Sequence, residues 1–177
     1  MAIAIRPAGA PDVAAIDALL RASFPAPDEA DLVRRLCVDG DMVLMLVAID
    51  EDAGTLAGAI AFSRMRVMLT DVDGGEKAVP AVALAPLAVA PEWRQQGVAE
   101  ALVRGGIDAL EAAGVVLCFV LGEPGYYERF GFHADHARNF ASPYAGDYFM
   151  ALPLQGGLMP CGVRGAADHA GAFAALG

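Results

Sequence analysis

The sequence predicts an α/β fold, a mixed sheet of six or seven strands with helices on both faces, and three observations carry that prediction. Residues 79–89 form an apolar run of strand type, 97–113 carry apolar residues at helical spacing, and 115–121 return to a strand run. Such a strand–helix–strand unit closes as a right-handed crossover that leaves its two strands parallel. Upstream, the strand runs 42–49 and 56–69 are joined by a short turn at 50–54, and a second, hairpin-like turn follows at 71–75. Hairpins and a crossover in one sheet make it mixed.

Each element follows in order. Residues 2–6 alternate as a short strand. Pro11 and Asp12 suit the first turn of a helix, with Val13, Ile16, Leu20 and Phe24 at helical spacing behind them. Pro25 and Pro27 stop that helix. Asp28 is expected to cap a second one, with Leu32, Val33 and Leu36 as its buried stripe and Gly40 at its end. The run 42–49 reads as a strand buried on both faces. Helix 97–113 places Val98, Leu102, Ile107 and Leu110 on one face, with Gly114 as its stop. Residues 149–154 are expected to be the last strand. We read 1–155 as one domain and 156–177 as a Gly- and Ala-rich tail whose only aromatic is Phe173; a packed arm and a mobile end are both open for it.

Bulk properties narrow the function classes. A chain of 177 residues, 56% hydrophobic and 19% charged, is long enough to bury a core and is not disordered. The net charge is −10, with Lys77 the single lysine, so nucleic acid and anionic membranes are poor partners and a cationic one is a better match. The longest apolar runs, 42–49 and 78–90, are too short to span a bilayer, and Arg6-Pro7 interrupts the first hydrophobic residues where a signal segment would need continuity. Cys37, Cys118 and Cys161 are odd in number and widely spaced, which suggests reduced thiols in the cytoplasm. With no CxxC and no His/Cys cluster, no metal site is expected.

The stretch 86–102, PLAVAPEWRQQGVAEAL, holds the chemistry. A strand leads through Arg94-Gln95-Gln96-Gly97-Val98-Ala99 into a helix. The first turn of a helix leaves about four backbone N–H groups without partners, and the helix dipole adds positive charge there. Gly97, with no Cβ, allows close approach, so the turn suits a pyrophosphate. The usual phosphate loops, Gly-x-Gly-x-x-Gly and Gly-Lys-Ser/Thr, are absent.

Arg-x-x-Gly-x-Ala after a strand ending Leu-x-Val-x-Pro resembles the acyl-CoA signature of the GNAT acetyltransferase superfamily. Ile5-Arg6-Pro7-Ala8, with Asp12 and Ile16, resembles its first strand and helix, 115–121 falls where its fifth strand should be, and Tyr127-Glu128-Arg129-Phe130-Gly131-Phe132 resembles its closing Tyr-x-x-x-Gly-Phe. The pieces cover roughly 3–153, and Pro86-Leu87-Ala88-Val89 with Leu121-Gly122-Glu123-Pro124 looks most like the YhbS-like branch.

The resemblance implies a splayed sheet and an acetyltransferase using acetyl-CoA as cosubstrate. Strands four and five would part near Pro86, with pantetheine pairing along Leu87, Ala88 and Val89. Arg94, Gln95, Gln96, Gly97, Val98 and Ala99 would hold the pyrophosphate, mostly through backbone N–H groups, with Arg104 as a further cation. Tyr127 matches the tyrosine that protonates the leaving thiolate; a core tyrosine is the plain alternative, and Tyr126 beside it makes the register a choice. Glu123, where the family often has asparagine, is the base candidate, ahead of His133 and His136. Cys118 sits inside an apolar strand and reads as a packing thiol, which favours direct transfer over an acyl-enzyme. The acceptor implied is a small-molecule or peptide amine, with Asp28, Glu29 and Asp31 hinting at a cationic one; a homodimer is left open. The rivals are a non-catalytic acyl-CoA-binding regulatory or interaction module and an enzyme for longer acyl groups.

Overall fold

The computed structural model describes residues 2–70, 73–157 and 163–176. Asp71 and Val72 of the expected 71–75 turn, and Cys161, lie outside them. The strands are β1 (Ile3–Pro7), β2 (Met42–Asp50), β3 (Leu56–Thr70), β4 (Glu76–Val89), β5 (Leu117–Leu121), β6 (Phe149–Pro153) and β7 (Val163–Asp168). They form one sheet in the order β1-β2-β3-β4-β5-β6, with β7 paired to β3. The helices are α1 (Val13–Ser23), α2 (Asp28–Asp39), α3 (Val98–Ala112) and two single turns, α4 (Pro124–Tyr127) and α5 (Ala134–Ala137). The sheet is mixed, as predicted: β1–β2, β2–β3, β3–β7 and β5–β6 are antiparallel, while β4 and β5 are parallel.

The chain divides into two compact units. The first comprises residues 1–63, 85–108 and 171–177. Its core joins Ile16, Leu19 and Leu20 of α1 to Leu32, Val33 and Leu36 of α2, and continues through Leu46, Val47, Ile60 and Phe62 to Val98, Leu102 and Val103 of α3. Leu36 is fully buried, so truncation to alanine there should cost about 2–5 kcal/mol. Several details differ from expectation. Val13, the first residue of α1, is 64% exposed, and the buried stripe is Ile16, Leu19 and Leu20. Phe24 lies beyond the helix in extended conformation. Asp28 is the first residue of α2 and makes no capping bond; Pro27 holds the cap, and its carbonyl accepts from the Asp31 N–H at 2.9 Å. Asp12 instead takes a capping part, accepting from the Gly9 N–H at 2.7 Å and from both terminal nitrogens of Arg6. Those bonds, the Arg6 guanidinium first, hold its carboxyl down at about 2. Only the middle of β2 is buried on both faces, and Val43 is exposed.

The second unit comprises residues 64–84 and 109–170. Phe119 of β5 stacks on Phe149 of β6 with ring centroids 5.2 Å apart and meets Phe140 edge-on at 5.4 Å. The β4–β5 ladder runs over Ala81↔Leu117, Val82↔Cys118 and Ala83↔Phe119. β6 is not the last strand: β7 follows in the tail and pairs with β3 from Arg66↔Asp168 to Thr70↔Val163. Residues Gly171–Ala175 then form a 3-10 segment of the first unit, with Ala172 and Phe173 buried.

Candidate active site

The first unit carries the predicted phosphate turn. β4 ends at Val89, and the Ala90 N–H donates to the Ala57 carbonyl at 2.8 Å. A 3-10 turn, Pro91–Trp93, buries Trp93 and delivers the chain to Arg94. Two residues then take left-handed conformations, Gln95 with φ 61° and Gly97 with φ 82°. Alternation of this kind gathers successive N–H groups into a concave anion nest. The first backbone bond of α3 runs from the Ala101 N–H to the Gly97 carbonyl at 3.0 Å, which makes Gly97 its cap. Among the described residues, the N–H groups of Gln95 through Glu100 have no hydrogen-bond acceptor. A cavity of about 460 Å³, lined by Ile3, Trp93, Gln96, Gly97, Val98 and Ala101, opens on them.

Side chains brace this turn. Gln96 Nε2 donates to the Glu92 carbonyl at 2.9 Å, so its amide is occupied while its N–H is not. Arg94 Nε donates to the Val89 carbonyl at 3.2 Å, tying the arginine back to the end of β4. Arg104 pairs with Glu100 at 3.0 Å one turn into α3. A Cβ on Gly97 would meet nothing of the protein within 4 Å, and its positive φ is a second reason for glycine beside the expected close approach of a ligand. Ala88 is buried and Leu87 and Val89 are half-buried at the end of β4. Sequence reasoning missed Gly58, where a Cβ would lie 2.9 Å from the Ala88 carbonyl oxygen and 3.1 Å from Val98 Cγ1. A lone glycine inside an apolar strand run was its one signal.

The second unit carries Glu123 and Tyr127. The Glu123 carbonyl accepts from the Tyr126 and Tyr127 N–H groups at 3.0 and 3.1 Å, which forms α4; its side chain is exposed and makes no capping bond. The two tyrosines face different surroundings. Tyr126 lies under the Arg129 guanidinium, 4.6 Å from the ring centroid, and its carbonyl accepts from Arg129 Nε at 2.9 Å. Tyr127 turns its ring edge-on to the fully buried Phe132 at 5.8 Å. Its hydroxyl has no hydrogen-bond partner among the described residues. Burial first, with the neighbouring Tyr126 and Cys118 adding to it, pushes the Tyr127 phenol up to about 12. It is therefore a neutral donor throughout the neutral range. Burial also pushes the Cys118 thiol far up, so that thiol is inert. His133 Nδ1 accepts from the Asp135 N–H at 3.1 Å and serves as the cap of α5. Among the described residues no group of three His, Cys, Asp or Glu side chains is placed to hold a metal ion, and no helix is long and apolar enough to cross a membrane.

Residues 4–134 match the family model described as an acetyltransferase (GNAT) domain. The chain is 44% identical over 121 residues, 68% of each chain, to YhbS of Escherichia coli K12, which is named an uncharacterized N-acetyltransferase. The crystal structure of Escherichia coli YhbS in complex with CoA superposes with a TM-score of 0.85 at 35% identity, covering 99% of this chain and 93% of that one. A GNAT family acetyltransferase from Brucella melitensis, solved with acetyl-CoA, gives a TM-score of 0.73 at 30% identity over 97% and 98% of the two chains.

Proposed function

Since the chain belongs to the GNAT acetyltransferase family, we propose that it transfers the acetyl group of acetyl-CoA to a primary amine by direct attack in a ternary complex. The observation that carries the reading is the nest of acceptor-free N–H groups from Gln95 to Glu100, opening on its cavity. Several donors at a helix N-terminus match a pyrophosphate in charge and in hydrogen-bond type. The Gln95, Gln96, Gly97, Val98 and Ala99 N–H groups bind it, and Arg94 adds charge at the rim. Backbone groups along Leu87, Ala88 and Val89 pair with the pantetheine arm and polarise the thioester carbonyl.

The amine nitrogen attacks the thioester carbon, the C–N bond forms and the C–S bond breaks. The sulfur leaves as a thiolate and takes its proton from the Tyr127 hydroxyl. The nitrogen sheds a proton to Glu123, directly or through water, and that proton restores the phenol by way of solvent. A phenol held near 12 gives up its proton to a thiol-range acceptor (ordinarily about 8.5) only against a gradient. Tyr127 thus acts as a hydrogen-bond donor to the growing sulfur charge, and the uphill transfer is drawn to completion as solvent returns the amine's proton to the phenol. The choice of Tyr127 over Tyr126 is supported by the ring surroundings: Arg129 covers Tyr126, while the Tyr127 hydroxyl is unengaged.

The acceptor we propose is a small-molecule or peptide amine, and the compartment we propose is the cytoplasm, supported by three cysteines that are odd in number and widely spaced in the sequence. Release of CoA thiol in a panel of primary amines tests the reading. Amine-dependent release supports it, and tight acetyl-CoA binding without release for any amine points to the binding-module rival.

A further inference from the structure

Gly122 connects β5 to α4, and nothing about its backbone demands glycine. Its φ lies outside the left-handed region, and its N–H donates to the Tyr148 carbonyl at 3.0 Å, one residue past the β5–β6 ladder. The demand comes from a side chain. A Cβ on Gly122 would lie 2.5 Å from Tyr127 Cε2, 3.0 Å from Cδ2 and 3.6 Å from Cζ, and these are its three nearest heavy atoms. Real Cβ atoms do not approach other heavy atoms below 3.0 Å. The seat of the Tyr127 ring thus includes the space where position 122 would otherwise carry a methyl group.

We propose that Gly122 is a positioning residue for Tyr127: by leaving that space empty it lets the ring lie against the end of β5 and fixes where the phenol hydroxyl stands. Phe132, fully buried and edge-on to the same ring, supplies a second wall. The atoms in conflict lie along one edge of a side-chain ring that is still partly exposed, and none belongs to the backbone, so a methyl group at 122 displaces the Tyr127 ring. The catalytic meaning of this placement rests on the acid role proposed above for Tyr127. A shift of about 1 Å in a reacting group lowers turnover on the order of 100-fold.

The experiment labels the protein with 3-fluorotyrosine and records fluorine NMR, where its four tyrosines give four resonances. Tyr127→Phe identifies the Tyr127 signal by its loss. In Gly122→Ala the Tyr127 signal should move while that of Tyr144 stays in place; an unmoved Tyr127 signal in folded Gly122→Ala overturns the proposal. Thiol release should show kcat roughly 100-fold lower for Gly122→Ala with KM for acetyl-CoA unchanged. If Tyr127→Phe keeps full kcat, the acid role falls, and the NMR shift still decides the positioning. Should Gly122→Ala fail to fold, the pair Tyr127→Ala and Tyr127→Ala/Gly122→Ala replaces it. With the ring gone, the added methyl should leave the melting temperature unchanged, and a clear further loss contradicts the proposal.

Discussion

Replacing Gly97 by alanine isolates the backbone geometry of the phosphate turn. The residue sits at φ 82° with open space where a Cβ would go, so the substitution brings no clash and the whole penalty is torsional. Holding an L-residue in the left-handed region costs about 1–2 kcal/mol. If the turn keeps its shape, that strain appears as lost stability, a fall of roughly 2–8 °C in Tm for a chain of this size. If the turn relaxes, the binding-competent form becomes the minor state and acetyl-CoA affinity drops by about 5- to 30-fold, the same energy read as a population. Each misaligned N–H adds a lost charge-assisted bond of roughly 1.5–3 kcal/mol. Valine in the same place should be worse, since branching at Cβ tightens the torsional restriction. Calorimetric titration with acetyl-CoA and a thermal melt on one preparation measure both channels. Unchanged affinity together with unchanged Tm in Gly97→Ala would refute the left-handed nest as the cofactor cradle.

Tyr127→Phe removes one hydroxyl from a ring seated by packing, so kcat for thiol release should fall roughly 10- to 10,000-fold with KM for acetyl-CoA nearly constant, and Tyr126→Phe should be milder. An exchange of those phenotypes would put the acid at Tyr126. Because burial raises the Tyr127 phenol to about 12, the folded protein keeps a proton that the unfolded chain loses near 10. Stability should therefore decline as pH rises from about 10 to 12, and Tyr127→Phe should lessen that decline in denaturant titrations; an identical alkaline slope in both proteins counts against the buried phenol. Native alkylation should modify exposed Cys37 and spare Cys118, read by peptide mass spectrometry, and labelling of Cys118 before unfolding would contradict its burial.

How much of this was legible in the sequence depended on whether the signal was local. The turn between β4 and α3 was readable because Arg94-Gln95-Gln96-Gly97 between a strand run and a helical run leaves few other geometries, and Gly97 does take a positive φ. Adjacent tyrosines cannot be ranked by position alone; both rings lie edge-on to a buried phenylalanine, and only Tyr126 lies under the Arg129 guanidinium. The last strand escaped notice because 163–168 reads VRGAAD, with little β-branched or aromatic content, and owes its form to the β3 partner it pairs with. The closeness of Gly122 to the Tyr127 ring was not legible, since a glycine between a strand and a proline looks like any turn.

The central claim is acetyl transfer from acetyl-CoA to an amine, and mass spectrometry with isotopically labelled acetyl-CoA and a panel of primary amines tests it most directly. The account predicts one labelled acetyl group on an amine nitrogen for each CoA thiol released, with the rate collapsing in Tyr127→Phe and no label retained on the protein. Acetyl-CoA bound at the turn with no amine acetylated, or label lodged on a cysteine as an acyl-enzyme, would contradict it.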